Sequence, residues 1–380
     1  MLKVVDIIKP QDFFVEAHIA DIHFGVIDPE VTYWILQKQF VEPLYNLKVL
    51  DIISINGDLF DHKFMANSNA VMYAMYFVQS LVDICRQKNA TLLLISGTGS
   101  HDADQMKLFY PLMKSNDVDV RVVTTVKFEY IKGKKILCIP ELYNKGEEYY
   151  NLFLNKIYDA CYMHGTFKGA IYGKNETDLN SIREPVFDIN SFGGCLGPII
   201  SGHNHINSIY NNDFYYCGSP IRWTFGEEQP KGWLLLFHNI KNRWYKVHFE
   251  PIISFRYETI KLDEIMKSDP NTIIQYIEQI KNTGIDYLRI QFSIDDKDKI
   301  ALLRSYYHNR RDIVIDVNNK NEIENKLDEM EYEQKQMMLS ITDPNISPEE
   351  KLVMYMNKQE GNSYWTVDTF NKFMEEIKNI

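Results

Sequence analysis

Five separated stretches hold side chains able to bind metal ions. Asp21 and His23 follow "FFVEAHIA", Asp58 sits in "NGDLFDH", His101 and Asp102 close "GTGSHD", His164 precedes Gly165, and His203 and His205 flank Asn204 in "GHNH". A carboxylate has two oxygens and can hold two cations at once. Two imidazoles one residue apart can bind one ion or reach two neighbouring ones. Oxygen and nitrogen donors without thiolate suit manganese, iron or zinc, and a six-coordinate site of this kind favours manganese. Two such ions, roughly 3.5–4 Å apart, can activate a water and stabilise both oxygens of a phosphoryl displacement. Each stretch alone also has a plain reading: a capping Asp, a loop Asp (which suits Asp61 well) or a solvated His. The number of them carries the metal reading.

One element type must position all five. "FFVEAHIA", "VLDIISI", "ATLLLIS", "DACYM" and "GPIIS" are short, apolar and partly β-branched, as buried strands are, and each stops at a polar cluster. Helical spacing of apolar residues marks "NSNAVMYAMYFVQSLVDICRQ" between two of them. Strands alternating with helices imply an α/β layered fold, in which ligands sit beyond the strand ends. After Pro251 the texture changes. "YLRIQFSI" and "DIVIDV" read as strands with "DKIALLRSYYHNRR" as a helix between them, a small α+β domain over about 256–320. From Glu322 a heptad-like stripe runs through Ile323, Leu327, Met330, Met337 and Ile341, interrupted by Gln334. Asp343-Pro344 breaks it. Ser347-Pro348-Glu349-Glu350 starts another helix with an N-cap and Pro at N1.

The chain has 380 residues, enough for two or three domains. Its hydrophobic fraction of 45% and charged fraction of 24% are those of a soluble globular protein. No apolar run is long enough to cross a bilayer, and the N-terminal stretch lacks a signal-peptide core, so the expected location is the cytoplasm. The five cysteines form no CxxC pair, which favours buried, reduced thiols. The net charge of −11 argues at first against a nucleic-acid partner. The charge is uneven, however, since residues 321–380 hold 13 acidic and only 6 basic residues.

Taken together, "DIH", "GDLFD", the "HD" loop, "HG" and "GHNH" resemble the calcineurin-like metallophosphoesterases. "YYCGSPIRWTFGE" (residues 215–227) is similar to a segment of the SbcD-type nuclease subunits of double-strand-break repair. This resemblance covers residues 12–250 or so. It implies a layered metallophosphoesterase β-sandwich flanked by helices over 1–255, a capping domain over 256–320 and a helical region over 321–380. It implies two divalent ions, with Mn2+ expected: Asp21, His23 and His205 on the first, Asp58 bridging, His164 and His203 on the second. His101 then meets the scissile phosphate, and Asp102 orients His101. The implied activity is exonuclease and endonuclease cleavage at DNA ends in recombination, repair and replication. The implied partner is an SbcC-type SMC-like ATPase docked on the C-terminal helices. The resemblance also implies a homodimer, for which "VTYWILQKQFVEPLYNL" and "NAVMYAMYFVQSLV" are candidate surfaces. The Asn, Lys and Tyr content points to an AT-rich genome and, with the resemblance, to a phage recombination nuclease.

One stretch departs from the family. Its Gly-Asn-His-Asp loop supplies an Asn ligand to the second ion, and alignment on His101-Asp102 puts Ser100 there. A hydroxyl is a poorer neutral ligand than an amide oxygen, so a weaker second site is expected. Outside the core, Arg304, Arg310 and Arg311 in a basic–aromatic stretch are candidate DNA-backbone contacts, or a solvated helix end. Two rival functions stay open: another two-metal phosphoesterase, such as a protein phosphatase or cyclic-nucleotide phosphodiesterase, and a non-catalytic scaffold that binds DNA ends.

Overall fold

The computed structural model describes residues 13–143, 145–172, 175–176, 185–210, 213–239, 244–292, 296–310 and 312–317. The heptad-like stripe and the last helix start lie outside them. In chain order the strands are β1 (Phe13–Ile19), β2 (Ile52–Asn56), β3 (Thr91–Ile95), β4 (Asp119–Val123), β5 (Lys127–Ile131), β6 (Lys134–Ile139) and β7 (Ala160–His164). Four two-residue strands follow, β8 (Thr166–Phe167), β9 (Ile171–Tyr172), β10 (Asn175–Glu176) and β11 (Val186–Phe187). Then come β12 (Ile199–Gly202), β13 (Ser208–Tyr210), β14 (Phe214–Tyr216), β15 (Gly232–Asn239), β16 (Tyr245–Pro251), β17 (Tyr257–Lys261), β18 (Tyr287–Phe292) and β19 (Ile313–Val317). The helices are α1 (Pro29–Leu36), α2 (Glu42–Asn46), α3 (Asn69–Lys88), α4 (Glu147–Leu154), α5 (Pro270–Lys281) and α6 (Lys297–Tyr307).

Two six-stranded sheets, in the orders β16-β15-β1-β2-β3-β4 and β13-β14-β12-β7-β6-β5, carry the site. Both are mixed. β1 to β4 run parallel, as do β6, β7, β12 and β14, and antiparallel strands flank them. Side chains alternate between the two faces of a strand, and here both faces are buried. Ile53, Ile55, Leu92 and Leu94 join a core with Phe77 and Leu81 of α3, whereas Ile52, Leu93 and Ile95 share a second core with Ile136, Cys138, Tyr162 and Ile200 of the other sheet. Leu137, Ile139, Cys161 and Met163 pack with Tyr150 and Leu154 of α4. Burial on both faces explains why these strands read as unbroken apolar runs.

α3 forms where helical spacing placed it. The Ser68 hydroxyl accepts from the Val71 N–H at 3.3 Å, and Asn89 ends the helix in the left-handed conformation. The chain divides into two compact units that interleave after Thr259. The first holds the described residues up to Thr259, with Gln275–Arg289 and Arg310–Val314; the second holds Ile260–Ile274, Ile290–Asn309 and the described residues from Ile315. β17, β18 and β19 form a three-stranded sheet in that order. β18, α6 and β19 match the strand–helix–strand reading, whereas α5 went unread. Among the described residues no helix is long and apolar enough to cross a membrane.

Polar groups also lie between the large sheets. Glu16 is fully buried, with His18 Nε2 at 3.2 Å from Oε2 and His238 Nε2 at 3.1 Å from Oε1, and it accepts from the Tyr162 hydroxyl. Burial raises the Glu16 pKa, but His238 and His18 outweigh it and hold the carboxyl well below its ordinary range. Its stabilising effect is therefore present above the unfolded-state value of about 4.3 and lost as pH falls toward the folded value. Glu16→Gln is expected to cost about 3 kcal/mol at neutral pH, because it leaves buried partners uncompensated. It should also flatten the acid limb of stability below about pH 4.3. Urea unfolding at several pH values measures both effects, and an unaltered acid limb would exclude Glu16 as its source.

Candidate metal centre

Three of the five metal-competent stretches leave their strands through an unusual backbone turn. Asp21 (φ 52°), His23 (φ 49°), Asp58 (φ 52°) and His203 (φ 88°) all adopt positive φ, a conformation uncommon for non-glycine residues. The turns are held by neighbouring strand ends. Asp21 N–H donates to the Gly57 carbonyl at 3.1 Å, and His23 N–H to that of Asp58 at 3.0 Å. The loops approach so closely that two glycines have no room for a side chain. A Cβ on Gly57 would lie 2.2 Å from His164 Nδ1, and one on Gly97 would lie 2.2 Å from Asp58 Oδ1.

The donors fall into overlapping groups. Asp21, His23 and His205 form one, and Glu141, His164 and His203 another; within each the donor atoms lie within 4.8 Å of one another. Asp58 lies between, grouped with His23 and His101 on one side and with Asp21 and His164 on the other. Its Oδ2 is 3.7 Å from His23 Nε2 and 3.3 Å from His164 Nε2. Asp21, Asp58, His23, Glu141 and His164 are buried, so this is a pocket of negative charge out of water. Burial opposes ionisation of Asp58, but His164 and the other imidazoles hold its pKa far below the ordinary carboxylate range. Burial likewise opposes a charge on His164, yet Asp58, Asp21 and Glu141 raise its pKa well above the usual value. The same field that draws a proton onto His164 favours a divalent cation.

Unsatisfied atoms fit that reading. Both ring nitrogens of His23 are buried without a hydrogen-bond partner, as is Glu141 Oε1; such groups are costly in a core unless an ion or water meets them. The imidazoles are also oriented from behind. His164 Nδ1 meets the Asn56 carbonyl at 2.8 Å, and His205 Nδ1 faces Glu227 Oε1 at 3.3 Å. Burial raises the Glu227 pKa, but His205 and Lys231 bring it down to about 2, so it stays ionised.

Two expectations for the "GTGSHD" loop need correction. Ser100 is exposed in the turn, and Thr98 takes the interior position instead. Its hydroxyl lies 3.1 Å from Asp58 Oδ2, 3.4 Å from Glu141 Oε2 and 3.3 Å from His164 Nε2. Gly99 and Ser100 turn outward between Thr98 and His101, so the residue directly before His101-Asp102 is an exposed one. Asp102, for its part, makes no hydrogen bond to the His101 ring. Its carboxylate accepts from the N–H groups of Gly97 (2.7 Å), Asp58 (3.0 Å) and Phe60 (3.1 Å), fastening the Asp58 turn to its own loop. His101 instead directs Nδ1 to the Asp61 carbonyl.

Glu141 was missed outright. It follows β6 by two residues and meets His203 Nδ1 at 3.0 Å through Oε2. The signal was present, since "KKILCIPE" is an apolar strand ending on an acid. Asp61, read as a loop residue, has Oδ1 3.6 Å from His23 Nδ1. Trp223 also joins the centre, its ring 4.7 Å from His23 and 5.0 Å from His205. Away from the centre, Arg304 is exposed, Arg310 is paired with Asp312 at 2.8 Å, and Arg311 lies outside the described residues. Cys85, Cys138, Cys161 and Cys217 are buried free thiols, and Cys195 is half-buried.

No family model matches the chain, and no curated protein matches it. One solved structure aligns with 63% of this chain and 99% of its own at 10% identity, with a TM-score of 0.36, too low a likeness to bear on fold or function.

Glu141→Gln and Thr98→Val are each expected to weaken Mn2+ binding by about tenfold or more, whereas Ser100→Asn leaves it unchanged. Calorimetric titration with Mn2+ decides this. Sensitivity to Ser100 with indifference to Thr98 would reverse the placement.

Proposed function

We propose that this chain is a two-metal-dependent phosphodiesterase acting on DNA, with exonuclease and endonuclease activity. The observation that carries the two-ion reading is the shared carboxylate. Asp58 lies between two groups of donors, 3.7 Å from His23 and 3.3 Å from His164, as a bridging ligand would. Asp21, His23 and His205 would hold the first ion, and Glu141, His164 and His203 the second. The all-oxygen-and-nitrogen donor set favours Mn2+. When bound, the ion pair supplies an activated water and charge neutralisation for in-line displacement at phosphorus. His101, fixed through Nδ1 and half-exposed, meets the phosphate with its other nitrogen and stabilises the charge that develops there. Asp102 holds the loop that presents it.

DNA as substrate rests on the sequence resemblance, above all on the Gly-Ser-Pro segment. That resemblance also supports an SMC-like ATPase partner docked on residues 321–380, a homodimer and a cytoplasmic setting. Exposed Trp34 of α1 and Tyr76 of α3 suit the dimer surface.

Hydrolysis of bis(p-nitrophenyl) phosphate across a Mn2+ titration tests the core of the proposal, because this small diester needs neither a DNA end nor the ATPase. Saturable activity is expected, with Asp58→Asn and His203→Ala falling to the uncatalysed background while remaining folded. Full activity in either variant would remove the assigned site. Cleavage of phosphoserine peptides but not of DNA would place the chain among protein phosphatases instead. Normal DNA binding without hydrolysis under any divalent metal would leave an end-binding scaffold.

A further inference from the structure

The segment from Ser219 to Lys231 holds a cluster that ion binding by itself does not require. Glu227 is its hub. Oε1 faces His205 Nδ1 at 3.3 Å, accepts from the Trp223 indole N–H at 2.8 Å and lies 3.2 Å from the Lys231 ammonium. Oε2 accepts from the backbone N–H groups of Trp223 (3.1 Å) and Thr224 (3.3 Å). Lys231 is buried, and its ammonium also donates to the Ser219 hydroxyl at 2.7 Å and the His205 carbonyl at 3.1 Å. Both the ring and the backbone of His205 are therefore held by one ion pair. The Trp223 ring stands nearly edge-on to His23, at 84°, and at 60° to His205.

We infer that Glu227 is a positioning residue for the first ion, locking the His205 imidazole and the Trp223 indole into one rigid wall of the centre. The inference rests on the two-ion reading and goes beyond it. A carboxylate at Nδ1 accepts a hydrogen bond from the protonated Nδ1 and leaves Nε2 as the nitrogen with a lone pair to give, and it makes that nitrogen more basic. His164 has a neutral carbonyl in the same role. The two sites are thus tuned differently: the first gains an imidazole strengthened by a buried charge, and the second gains a carboxylate ligand, Glu141. The indole lines the first site on the side of His23 and His205, and an apolar lining limits competition by water for the ion.

The geometry also makes Trp223 a reporter. Its ring lies against two first-ion ligands, so paramagnetic Mn2+ bound there quenches its emission. The test titrates Mn2+ into the purified full-length chain, following tryptophan emission and counting bound Mn2+ by electron paramagnetic resonance. It uses wild type, Glu227→Gln, Glu227→Ala and Trp223→Phe, with metal-free melting temperatures alongside. Wild type is expected to bind two ions, one of them with quenching. Glu227→Gln keeps the shape and the acceptor for the indole but loses the charge. Its quenching site is expected to weaken about 10–100-fold, with the other site unchanged and the metal-free melting temperature lowered less than in Glu227→Ala. Trp223→Phe keeps both ions and loses the quench. Two ions at wild-type affinity in Glu227→Gln would overturn the inference. So would a metal-free melting temperature that falls as far in Glu227→Gln as in Glu227→Ala, which marks a purely structural residue. Wild type that takes up no Mn2+ would overturn the two-ion reading itself and this inference with it.

Discussion

Everything in the centre turns on burying the Asp58 carboxylate. It is almost wholly out of water, where an uncompensated charge is costly and must be met by a partner or lost to protonation. Imidazoles from three other strand ends lie close around it, those of His23, His101 and His164. Thr98 adds both its amide, 2.6 Å from Oδ1, and its hydroxyl. A proton on His164 can balance the charge, and so can divalent ions. The rest of the architecture serves to bring those strand ends to one place and keep them there.

Holding them carries a conformational cost. Four of the metal-competent positions have left-handed backbones, and strain of this kind persists only where the surroundings over-determine it. Here they do. The Asp102 carboxylate fastens three amides from two loops, and Asp21 accepts from the His203 N–H at 2.9 Å. The cores on both faces of each large sheet fix the strands from which the loops spring. Asp102 is thus a fastener of the site, acting at one remove from the proposed phosphate position.

The second group departs from the pattern that the resemblance implies, and the departure is chemical. Where that pattern has a neutral amide, this chain has the Thr98 hydroxyl beside the carboxylate of Glu141. A weaker neutral donor is accompanied by an added negative charge. An anionic group of donors suits a hard divalent ion. Gly99 and Ser100 turn outward, away from it.

Much of this was legible in the chain. Strand ends, the long helix α3 and the cluster residues Asp21, His23, Asp58, His101, His164, His203 and His205 follow from short apolar runs stopping at metal-competent side chains, because local periodicity and residue chemistry suffice for that. The helical spacing of Ile273, Ile277 and Ile280 in α5 is present in the chain as well, and the C-terminal stripe lies outside the described residues. The sequence by itself determined which side chains could bind ions and that strands would present them. Only the tertiary structure decided which of those side chains meet. Thr98 in place of Ser100, the inclusion of Glu141, the amide-fastening role of Asp102 and the contact of Glu227 with His205 all depend on how loops from different strands pack in space. Spacing along the chain does not carry that information, because a turn of one or two extra residues exchanges an inward side chain for an outward one.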